Sequence, residues 1–568
     1  MTRIRPLAVF LSTFLLAPTF AAEIAPLAPE GNTGRYALST ARAAQAMVVT
    51  ANAHATDAAR QILWAGGSAI DAAIAAQAVL GLVEPQSSGI GGGAFIVYND
   101  GKKTLSIDGR ETAPANATDG RFLTPAGKPM GFYKAIDSGL GLGVPGVLAA
   151  MEATHDRYGR LPWKQLFTPA ITLARNGFAV SPRLHSLISR DPLLKDKYRA
   201  RDYLFDKSGS PWPVGHLLKN PAYADTLERI ASGDAKEFYR GKMAREMVKS
   251  LNLLGSDVTY EDWSNYKAIV SDALCQPYRQ LQVCTAAAPS GGWTVLQTLA
   301  ILDQFPAEND EVLRLHRLLE AERLSFADRQ RYSADPAFVP VPLKGLLEKS
   351  YIKNRHSLIG EKSMHTANAG TPAGLSAAWA QDKQITENGT TQIVIADGRG
   401  HWLSMTSSIE DAFGSRLFLD GIFFNNQLTD FSFVPVEDGK LLANRVQAGK
   451  RPRSAMSPVI VLDGKKPVLA LGSPGGSRII GYVLRALTAS IDGGLPPSEA
   501  VALPMILSRN GPTEVDSDFP SELRTSLQSY GQQFSDSDLN SGLAIIRRSS
   551  GLLEGAADPR REGKAAGF

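Results

Sequence analysis

The sequence lacks the features that would tie it to a metal or to nucleic acid. Its eight histidines are scattered and form neither an HExxH motif nor a cluster with cysteine, so no metal site is expected. The formal net charge is only +4 over 568 residues, with basic and acidic residues interspersed. Such a balance argues against nucleic acid or an anionic membrane as a partner. Linkers, low-complexity tracts and internal repeats are also missing, so one large domain is a fair alternative to several small ones.

Cysteine is equally scarce. Cys275 and Cys284 lie in the segment LCQPYRQLQVC, which is typical of a tight hairpin with Pro277 near its reversal. In an oxidising compartment a disulfide across this hairpin is expected as a local staple without a catalytic role. Two reduced thiols are the alternative, because sequence does not show that the Cβ atoms meet.

Long hydrophobic runs are absent after the first residues of the chain. Arg3 and Arg5 precede an apolar stretch at 7–17, and the small residues Ala21 and Ala22 follow it. This is the anatomy of a secretory signal, and the apolar stretch is too short to span a bilayer. We therefore expect a signal peptide over residues 1–22 and a secreted protein, in a bacterial periplasm, with no membrane contact after its removal. An uncleaved anchor is the alternative.

What is present is an ordinary globular composition, with 44% apolar and 20% charged residues. The pattern predicts two Ala-rich helices within 55–81, strands at FIVYND and TLSIDG, and further helices over 147–176 and 311–332. Past residue 390 strands dominate until a helix that follows GSPGGS. This order favours layered sheets covered by helices.

The most informative stretch is a hairpin around the reversal signal at 397–400. We suppose a register in which the numbers of two paired residues always sum to 798. Ile393 then faces Met405 on an apolar face, and a shift of the register by one residue would break up that face. The same register sets Thr390 directly across from Ser408 on the other face. Two facing hydroxyls at a strand start indicate a nucleophile and its hydrogen-bonding partner. Alternatively the pair is structural, as most facing Ser/Thr pairs are.

Three glycine-rich turns, GIGGGAF at 89–95, APSGGW at 288–293 and GSPGGSRII at 472–480, punctuate the chain. In the last, a strand runs through a glycine loop into a helix, which presents N–H groups to an anion. The loop lacks the Lys-Ser/Thr of a phosphate loop and the spacing of a dinucleotide fingerprint. We interpret it as an oxyanion site, with a bare strand-to-helix turn as the alternative.

A family resemblance now joins these features. The chain resembles the γ-glutamyltransferase family, also called γ-glutamyl transpeptidases or glutathione hydrolases. The matching segments are VEPQSSGIGGGAF (83–95), DGRETAPANA (108–117), GLGVPGVLA (141–149), FADRQRY (326–332), TTQIVIAD (390–397), FFNNQLTDFS (423–432), KRPRSAMSP (450–458), GSPGGSRII (472–480) and ADPRREG (557–563). They span the chain from about residue 45 to its C-terminus in the family's order.

The resemblance implies an α+β fold, the four-layer αββα sandwich of the N-terminal-nucleophile hydrolases, made as a precursor that cuts itself. The cut would fall between Gly389 and Thr390. It would leave a large subunit of residues 23–389 and a small subunit of residues 390–568, which stay together as a heterodimer. The freed α-amine of Thr390 would lie beside its own hydroxyl, with a pKa of roughly 8 that suits a general base near neutral pH.

The resemblance also implies the catalytic residues. Thr390 is the expected nucleophile, and Ser408 occupies the position of a family Thr that hydrogen-bonds it. Gly475 and Gly476 match the pair whose N–H groups receive the oxyanion.

The resemblance implies a further set of residues that bind the substrate. Arg110 matches the residue that binds the substrate α-carboxylate, and Ser454 matches the first of two serines that assist it. Glu410, Gln427 and Asp430 match positions that hold the α-ammonium. Alternatively, Arg110 belongs to a structural ion pair and Asp430 is a cap or turn residue.

This chain departs from the family pattern at several positions. The second serine of the carboxylate pair is Ala455, which removes a hydrogen bond worth on the order of 1 kcal/mol. Glu410 stands where Asn is usual and Gln427 where some members have Glu, while Gln392 replaces a His. We therefore expect weaker γ-glutamyl binding, though not its loss.

The expected function is hydrolysis of γ-glutamyl amides such as glutathione, and transfer of the γ-glutamyl group to amino acids or peptides. Two alternatives remain: a related glutaryl or cephalosporin acylase, which the missing serine would suit, and an uncleaved secreted binding protein. The segment 433–453 is long for a loop and is either a lid over the pocket or a surface excursion.

Overall fold

The computed structural model describes residues 31–375, 378–384 and 389–568, so the expected signal peptide lies outside the described residues. In this part of the chain the strands are β1 (Ser39–Ala43), β2 (Met47–Thr50), β3 (Gly93–Asn99), β4 (Thr104–Gly109), β5 (Phe178–Ala179), β6 (Leu217–Leu218), β7 (Ile269–Asp272), β8 (Leu274–Tyr278), β9 (Leu281–Thr285), β10 (Gly389–Ala396), β11 (Trp402–Glu410), β12 (Phe418–Leu419), β13 (Ile422–Phe423), β14 (Val436–Glu437), β15 (Lys440–Leu441), β16 (Val459–Asp463), β17 (Lys466–Gly472), β18 (Ile506–Leu507), β19 (Thr513–Val515), β20 (Phe534–Asp536), β21 (Ala544–Ser549), β22 (Leu552–Ala557) and β23 (Lys564–Gly567).

Helices alternate with these strands. The α-helices of the described residues are α1 (Ala53–Trp64), α2 (Ala69–Val83), α3 (Phe132–Asp137), α4 (Val147–Tyr158), α5 (Trp163–Leu166), α6 (Thr168–Asn176), α7 (Pro182–Arg190), α8 (Tyr198–Leu204), α9 (Pro221–Tyr239), α10 (Lys242–Leu253), α11 (Tyr260–Asn265), α12 (Gly292–Leu302), α13 (Glu311–Tyr332), α14 (Leu343–Leu346), α15 (Lys349–His356), α16 (Ile479–Ile491), α17 (Pro497–Ala500) and α18 (Ser521–Ser529). Short 3-10 helices lie at Leu194–Asp196, Gln427–Asp430 and Gly476–Arg478.

Among the described residues, two seven-stranded sheets form the centre of the fold. Sheet I has the strand order β23-β2-β10-β11-β3-β4-β7, and sheet II has the order β1-β22-β21-β17-β16-β9-β8. Every pairing within the two sheets is antiparallel. β10 therefore lies inside sheet I, between β2 and β11.

The side chains of β10 alternate between two hydrophobic cores. Ile393 and Ile395 pack with α1 and α2 on the outer face of sheet I. Val394 and Ala396 face the other way, into a core shared with sheet II and with α12, α13 and α16 behind it. Helices thus cover both outer faces of a double sheet, which confirms the expected four-layer αββα sandwich.

The hairpin register is confirmed over most of its length. Ile393 pairs with Met405 and Ile395 with Leu403, and the turn is closed by the N–H of Gly400, which donates to the carbonyl of Asp397 at 3.2 Å. Both strands are buried along their whole length because helices cover one face and sheet II covers the other.

The predicted helices are largely confirmed. α1 and α2 are the two helices predicted in the Ala-rich stretch, and α13 spans the whole predicted range 311–332. The helical prediction for 147–176 is confirmed, although the stretch is divided into α4, α5 and α6 by short breaks that were not predicted. Gly159 and Pro162 fall at the first break, where Pro162 has no N–H to donate to a helix.

A disulfide joins Cys275 on β8 to Cys284 directly across on β9. The expected staple is therefore present at the edge of sheet II. Within the described residues, no helix is both long and apolar enough to cross a membrane.

Candidate active site

Thr390 lies at the start of β10 and is almost wholly buried, with 2% of its surface exposed. Its peptide bond to Gly389 is intact, so the structure describes the uncut chain. The next residue, Thr391, donates its hydroxyl to the Glu84 carboxylate at 3.0 Å. This contact fixes the strand to the end of α2 immediately beyond the expected nucleophile.

Ser408 lies beside the junction that is expected to break, but not in the predicted register. Thr391 pairs with Ser407 as predicted, whereas Gly389 pairs with Glu410, so two residues of β11 oppose Thr390. The predicted one-to-one pairing of Thr390 with Ser408 is therefore wrong, because a β-bulge inserts one extra residue into β11 and Ser408 shares the place opposite Thr390 with Ile409. The Ser408 hydroxyl instead donates to the carbonyl oxygen of Gly389 at 2.6 Å.

Arg110 lies at the centre of a buried polar network just after β4. Its guanidinium donates to the Asp430 carboxylate and to the carbonyl oxygens of Pro452 (3.2 Å) and Arg453 (2.7 Å). The Gln427 amide donates to the same Asp430 oxygen at 2.9 Å. The structural ion pair considered for Arg110 is thus present, and it joins residues more than 300 positions apart in the sequence.

Glu410 connects this network to the hairpin. Its N–H donates to the Ser408 hydroxyl at 2.8 Å, and its carboxylate accepts from the Asn426 amide. Asn426 directly precedes the 3-10 helix Gln427–Asp430. Ser408, Glu410, Gln427, Asp430 and Arg110 therefore belong to one continuous chain of contacts that starts at the carbonyl of Gly389.

Three buried polar atoms of this network have no hydrogen-bond partner among the described residues. They are the donor Arg110 Nη1 and the acceptors Glu410 Oε1 and Gln427 Oε1. Beside these three atoms, both carboxylate oxygens of Glu111 also lack a hydrogen-bond donor, and its Oε2 lies 3.7 Å from Arg110 Nη1 as an ion-pair neighbour. A buried polar atom without a partner costs free energy, so this cluster of one donor and two acceptors is suited to a polar ligand.

The carboxyls here have strongly perturbed pKa values. Burial raises the pKa of Glu410 well above its usual range, and the nearby Asp430 and Asp411 carboxylates raise it further. Burial also raises the pKa of Glu111 to about 8, although Arg110 opposes this shift. Perturbed carboxyls of this kind concentrate at functional sites.

The glycine loop after β17 has the backbone geometry of an anion site. Gly475 and Gly476 have φ values of +134° and +57°, which favour glycine. A side chain at Gly475 would come within 2.4 Å of the Tyr482 ring. Among the described residues, the N–H groups of Gly475 and Gly476 have no acceptor, so both are free to bind an oxyanion.

Contacts between the sheets bring this loop towards the hairpin. A Cβ built on Gly472 would lie 2.4 Å from the side-chain amide of Gln392, so the end of β17 touches β10 two residues after Thr390. The Ser404 hydroxyl donates to the carbonyl of Leu471 at 2.8 Å and receives the Gln392 amide at 2.9 Å. The side chain of Gln392 thus couples the two sheets.

Ser454 lies in the loop that also supplies two carbonyls to Arg110. Its hydroxyl accepts the N–H of Met456 at 3.1 Å, and its carbonyl accepts from Arg329 at 3.0 Å. Burial, with Arg453 nearby, lowers the pKa of Arg329 to about 9. Arg329 lies at the end of α13 and holds this loop in place.

Segment 433–453 is tied to the same network. It contains the short hairpin β14–β15, and Asn444 donates its amide to the carbonyl of Asp430 at 2.7 Å. Lys450 donates to the carbonyls of Ala443 (2.7 Å) and Arg445 (3.0 Å), and burial lowers its pKa to about 7. Whether the segment covers a substrate stays a prediction.

Sequence reasoning missed Asn426, Glu111 and Arg329. All three lie inside segments that had already been matched to the family, next to or near residues that were named. Their burial and their contacts with Glu410, Arg110 and Ser454 give them a place in the site. The signal that could have found them is the unusual density of polar residues within those segments.

Taken together, the geometry offers a hydroxyl nucleophile, free backbone N–H groups and a buried cluster of one donor and two acceptors. Such a set is suited to acyl transfer from a substrate with both a cationic and an anionic group. Among the described residues, no group of His, Cys, Asp or Glu has the arrangement of a metal site.

Comparisons with known proteins agree with this chemistry. The profile of the family described as gamma-glutamyltranspeptidase matches residues 55–568. A glutathione hydrolase proenzyme of Bacillus subtilis (strain 168) is 36% identical over 541 residues, which cover 92% of this chain and 91% of that protein. The crystal structure of a cephalosporin acylase from Bacillus halodurans has a TM-score of 0.82 and 27% identity, covering 93% of this chain and 97% of that one. The crystal structure of Helicobacter pylori gamma-glutamyltranspeptidase has a TM-score of 0.52 and 32% identity, covering 54% of this chain and 90% of that one.

Proposed function

The chain belongs to the γ-glutamyltranspeptidase family, and on this premise we propose that it hydrolyses γ-glutamyl amides such as glutathione and transfers the γ-glutamyl group to amino acids or peptides. The observation that carries the proposal is the cluster of unpaired buried atoms on Arg110, Glu410 and Gln427. Its one donor and two acceptors complement the carboxylate and the ammonium of a free α-amino acid.

Recognition of the γ-glutamyl group follows from this complementarity. Arg110 Nη1 binds the α-carboxylate, and the hydroxyl of Ser454 assists it. Glu410 Oε1 and Gln427 Oε1 accept from the α-ammonium, while Asp430 holds both Arg110 and Gln427 in place. An arriving ammonium favours the ionised form of Glu410, so substrate binding lowers the raised pKa of this carboxyl.

Activation begins with self-cleavage between Gly389 and Thr390. The hydroxyl of Ser408 polarises the carbonyl of Gly389, and the hydroxyl oxygen of Thr390 attacks the carbonyl carbon. An ester forms as the peptide C–N bond breaks, and the hydroxyl proton passes to the new amine. Water then hydrolyses the ester, which leaves a carboxylate on Gly389 and a free N-terminal Thr390.

Turnover uses the group that cleavage has released. The α-amine of Thr390, with a pKa of roughly 8, accepts the proton of its own hydroxyl as the oxygen attacks the γ-carbonyl. The N–H groups of Gly475 and Gly476 stabilise the tetrahedral oxyanion. The ammonium of Thr390 gives its proton to the amide nitrogen, the C–N bond breaks and the leaving group departs as an amine. Water or an acceptor amine, deprotonated by the Thr390 amine, then attacks the acyl-enzyme ester and releases the γ-glutamyl group from Thr390. No cofactor takes part.

The mature protein in this proposal is a heterodimer of residues 23–389 and 390–568. It is secreted, in a bacterial periplasm, after the removal of residues 1–22. N-terminal sequencing of both fragments purified from the periplasm tests these assignments together, since the small fragment should begin at Thr390.

The test of the nucleophile compares wild type with Thr390→Ala and with Thr391→Ser, which keeps the hydroxyl that donates to Glu84. On a denaturing gel, wild type and Thr391→Ser should give two bands and Thr390→Ala one band of full length. Turnover of γ-glutamyl-p-nitroanilide should be lost only in Thr390→Ala. An active Thr390→Ala protein, or an active wild type that stays in one piece, would refute the proposal and favour a different nucleophile.

An acylase for glutaryl or cephalosporin side chains is the second candidate. Ala455 favours it, since it removes one contact to the α-carboxylate, and the fold similarity to a cephalosporin acylase is extensive. The unpaired acceptors of Glu410 and Gln427 argue against it, because a glutaryl group has no ammonium to give them. Faster turnover of glutaryl-p-nitroanilide than of its γ-glutamyl counterpart would overturn our choice.

A further inference from the structure

A cavity of about 220 Å³ lies away from the proposed active site, at the C-terminal end of α16. Its walls come from the end of α12, the first turns of α13 and the loop between them, together with the turn between β8 and β9. The glycine loop precedes the opposite end of α16, which at 13 residues is roughly 20 Å long. None of the residues assigned to γ-glutamyl transfer lines this cavity.

The floor of the cavity is apolar. Leu302, Leu315, Leu318 and Ala489 line it and are all buried. An apolar surface of this kind gains free energy when a hydrocarbon chain or ring displaces water from it. The floor therefore favours a ligand with an apolar body over a bare inorganic ion.

The walls are strongly charged. Four arginines (Arg279, Arg314, Arg317 and Arg485) face three carboxylates (Glu308, Glu311 and Asp492), and a fourth carboxylate, Asp303, lies 3.7 Å from Arg279. The formal charges therefore balance, so what the wall offers a ligand is decided by which guanidinium donors lack an acceptor.

Two of the arginines are satisfied within the fold. Arg279 donates to Asp492 at 2.9 Å and to the carbonyl of Phe305 at 2.8 Å. Arg314 donates to the carbonyls of Glu308 (3.0 Å) and Asn309 (3.2 Å). Neither side chain needs a ligand.

Arg485 and Arg317 differ from them. Arg485 is 7% exposed; its Nη2 donates to Glu311 at 3.4 Å, but its Nε is buried without a hydrogen-bond acceptor among the described residues. Arg317 Nη1 is likewise buried without an acceptor, and its nearest carboxylate, on Glu308, is 3.6 Å away. Two unsatisfied cationic donors in the wall of one cavity mark the place for an anionic acceptor.

We propose that this cavity is a binding site for an amphipathic monocarboxylate, whose carboxylate is held by Arg485 and Arg317 and whose apolar part lies on Leu302, Leu315 and Leu318. A carboxylate offers two oxygens to two guanidinium groups, and its charge strengthens both hydrogen bonds. The ligand is of a different class from the γ-glutamyl substrate, which is zwitterionic at its α-carbon. The site exists whether or not the proposed activity is correct.

Octanoate is the probe that tests this site, and neutral octanamide is its matched control. Calorimetric titration of the full-length Thr390→Ala protein measures the affinity for each compound. The same titrations are repeated after adding Arg485→Gln, Arg317→Gln or the remote surface substitution Arg524→Gln to this protein. We expect octanoate to bind at least tenfold more tightly than octanamide and to raise the unfolding temperature. Each cavity variant should lose tenfold or more in affinity, whereas Arg524→Gln should not.

Equal binding of octanoate and octanamide, undiminished binding to both cavity variants, or no octanoate binding at all would overturn the proposal. If Arg485→Gln no longer unfolds cooperatively, Arg317→Gln carries the test, because its side chain is 19% exposed and tolerates replacement better. Inorganic phosphate serves as a second probe. Phosphate binding as tight as that of octanoate would show that the apolar floor contributes nothing, and would also reject the assignment.

Discussion

Glu410 holds a backbone conformation that a residue with a long side chain rarely adopts, since its φ is +82°. In the family pattern described above, Asn is usual at this position, and Asn tolerates such a φ far better. The strain, of order 1–3 kcal/mol, and the burial of a carboxylate both oppose stability. A Glu that stands here despite both costs is best explained by what its carboxylate binds.

Glu410→Gln tests that role without changing the shape of the side chain. The ionised carboxylate binds the α-ammonium, so KM of the wild type should rise as pH falls through the raised pKa of Glu410, where the acid becomes neutral. The variant should show a KM higher by about tenfold or more, in line with the loss of a hydrogen bond to a charged group. It should also lose the rise of KM at acid pH. Steady-state kinetics with γ-glutamyl-p-nitroanilide across pH measures both effects.

Competitive inhibition supplies the control for this variant. Glutamate carries the α-ammonium and glutarate does not, so Glu410→Gln should weaken inhibition by glutamate and leave inhibition by glutarate unchanged. Equal weakening of both would mean that Glu410 only shapes the pocket.

Ser408 makes a contact that belongs to cleavage of the chain. Its hydroxyl donates to the carbonyl of Gly389, where negative charge develops as Thr390 attacks. Ser408→Ala should slow conversion to two fragments by about tenfold or more, since a hydrogen bond to a charged group contributes roughly 1.5–3 kcal/mol. A time course on denaturing gels measures the rate.

The neighbour Ser407 is a matched control, because its hydroxyl donates to the carbonyl of Gly93 at 3.2 Å instead. Ser407→Ala should cleave at the wild-type rate, and Ser408→Thr should retain most of it. Unchanged cleavage of Ser408→Ala would remove Ser408 from the mechanism.

Among the elements, the loop between β17 and α16 is where a single methyl group should be most damaging. Gly475→Ala places a Cβ about 2.4 Å from the Tyr482 ring and demands a φ that alanine resists. The loop must shift, which moves the N–H groups aimed at the oxyanion. We expect kcat for γ-glutamyl-p-nitroanilide to fall by about 10²-fold or more with little change in KM, the scale for loss of an oxyanion donor.

Gly494→Ala separates backbone strain from displacement of the loop. Gly494 also has a positive φ, +66°, but a Cβ there meets no atom within 4 Å. Its activity should stay near that of the wild type. A kcat as low as that of Gly475→Ala would show that general loss of stability, rather than the oxyanion contact, explains both variants.

The β10–β11 hairpin and the helices of 147–176 show how much of the fold could be predicted from the sequence. The β10–β11 register followed from alternation and one turn, because a side-chain period of two leaves few registers that bury Ile393 and Met405 together. The bulge could not be predicted in the same way, since it lies at Ser408 and Ile409, next to Glu410, whose positive φ no alternation of side chains indicates. The breaks in 147–176 were visible in Gly159 and Pro162 but were given too little weight.

Some residues of the candidate site could likewise be predicted from local sequence pattern and others could not. Thr390 and Ser408 lie on one hairpin, so local pattern alone placed them near each other. Arg110 and Asp430 are 320 residues apart, and no periodicity connects them, so only the family resemblance put them in one pocket. Asn426, Glu111 and Arg329 escaped notice because their roles depend on contacts made across the fold.

At the scale of the whole molecule, the expected cut passes through a fold that neither fragment completes. In sheet I, β2, β3, β4 and β7 come from before Thr390 and β10, β11 and β23 from after it. In sheet II, β1, β8 and β9 precede the cut and β16, β17, β21 and β22 follow it. Among the described residues, the two parts meet along the pairs β23–β2, β2–β10, β11–β3, β1–β22 and β16–β9.

This interleaving predicts how the cleaved protein behaves. Separation of the fragments would break five strand pairings, expose unpaired sheet edges and open the core between the sheets. We therefore expect both fragments to elute together at the volume of uncut Thr390→Ala in size-exclusion chromatography. In urea they should dissociate only as they unfold, in a single transition followed by circular dichroism and by chromatography. A folded small fragment released below that transition would mean that residues 390–568 form a domain of their own, and the shared sheets would then be a packing of two independent units.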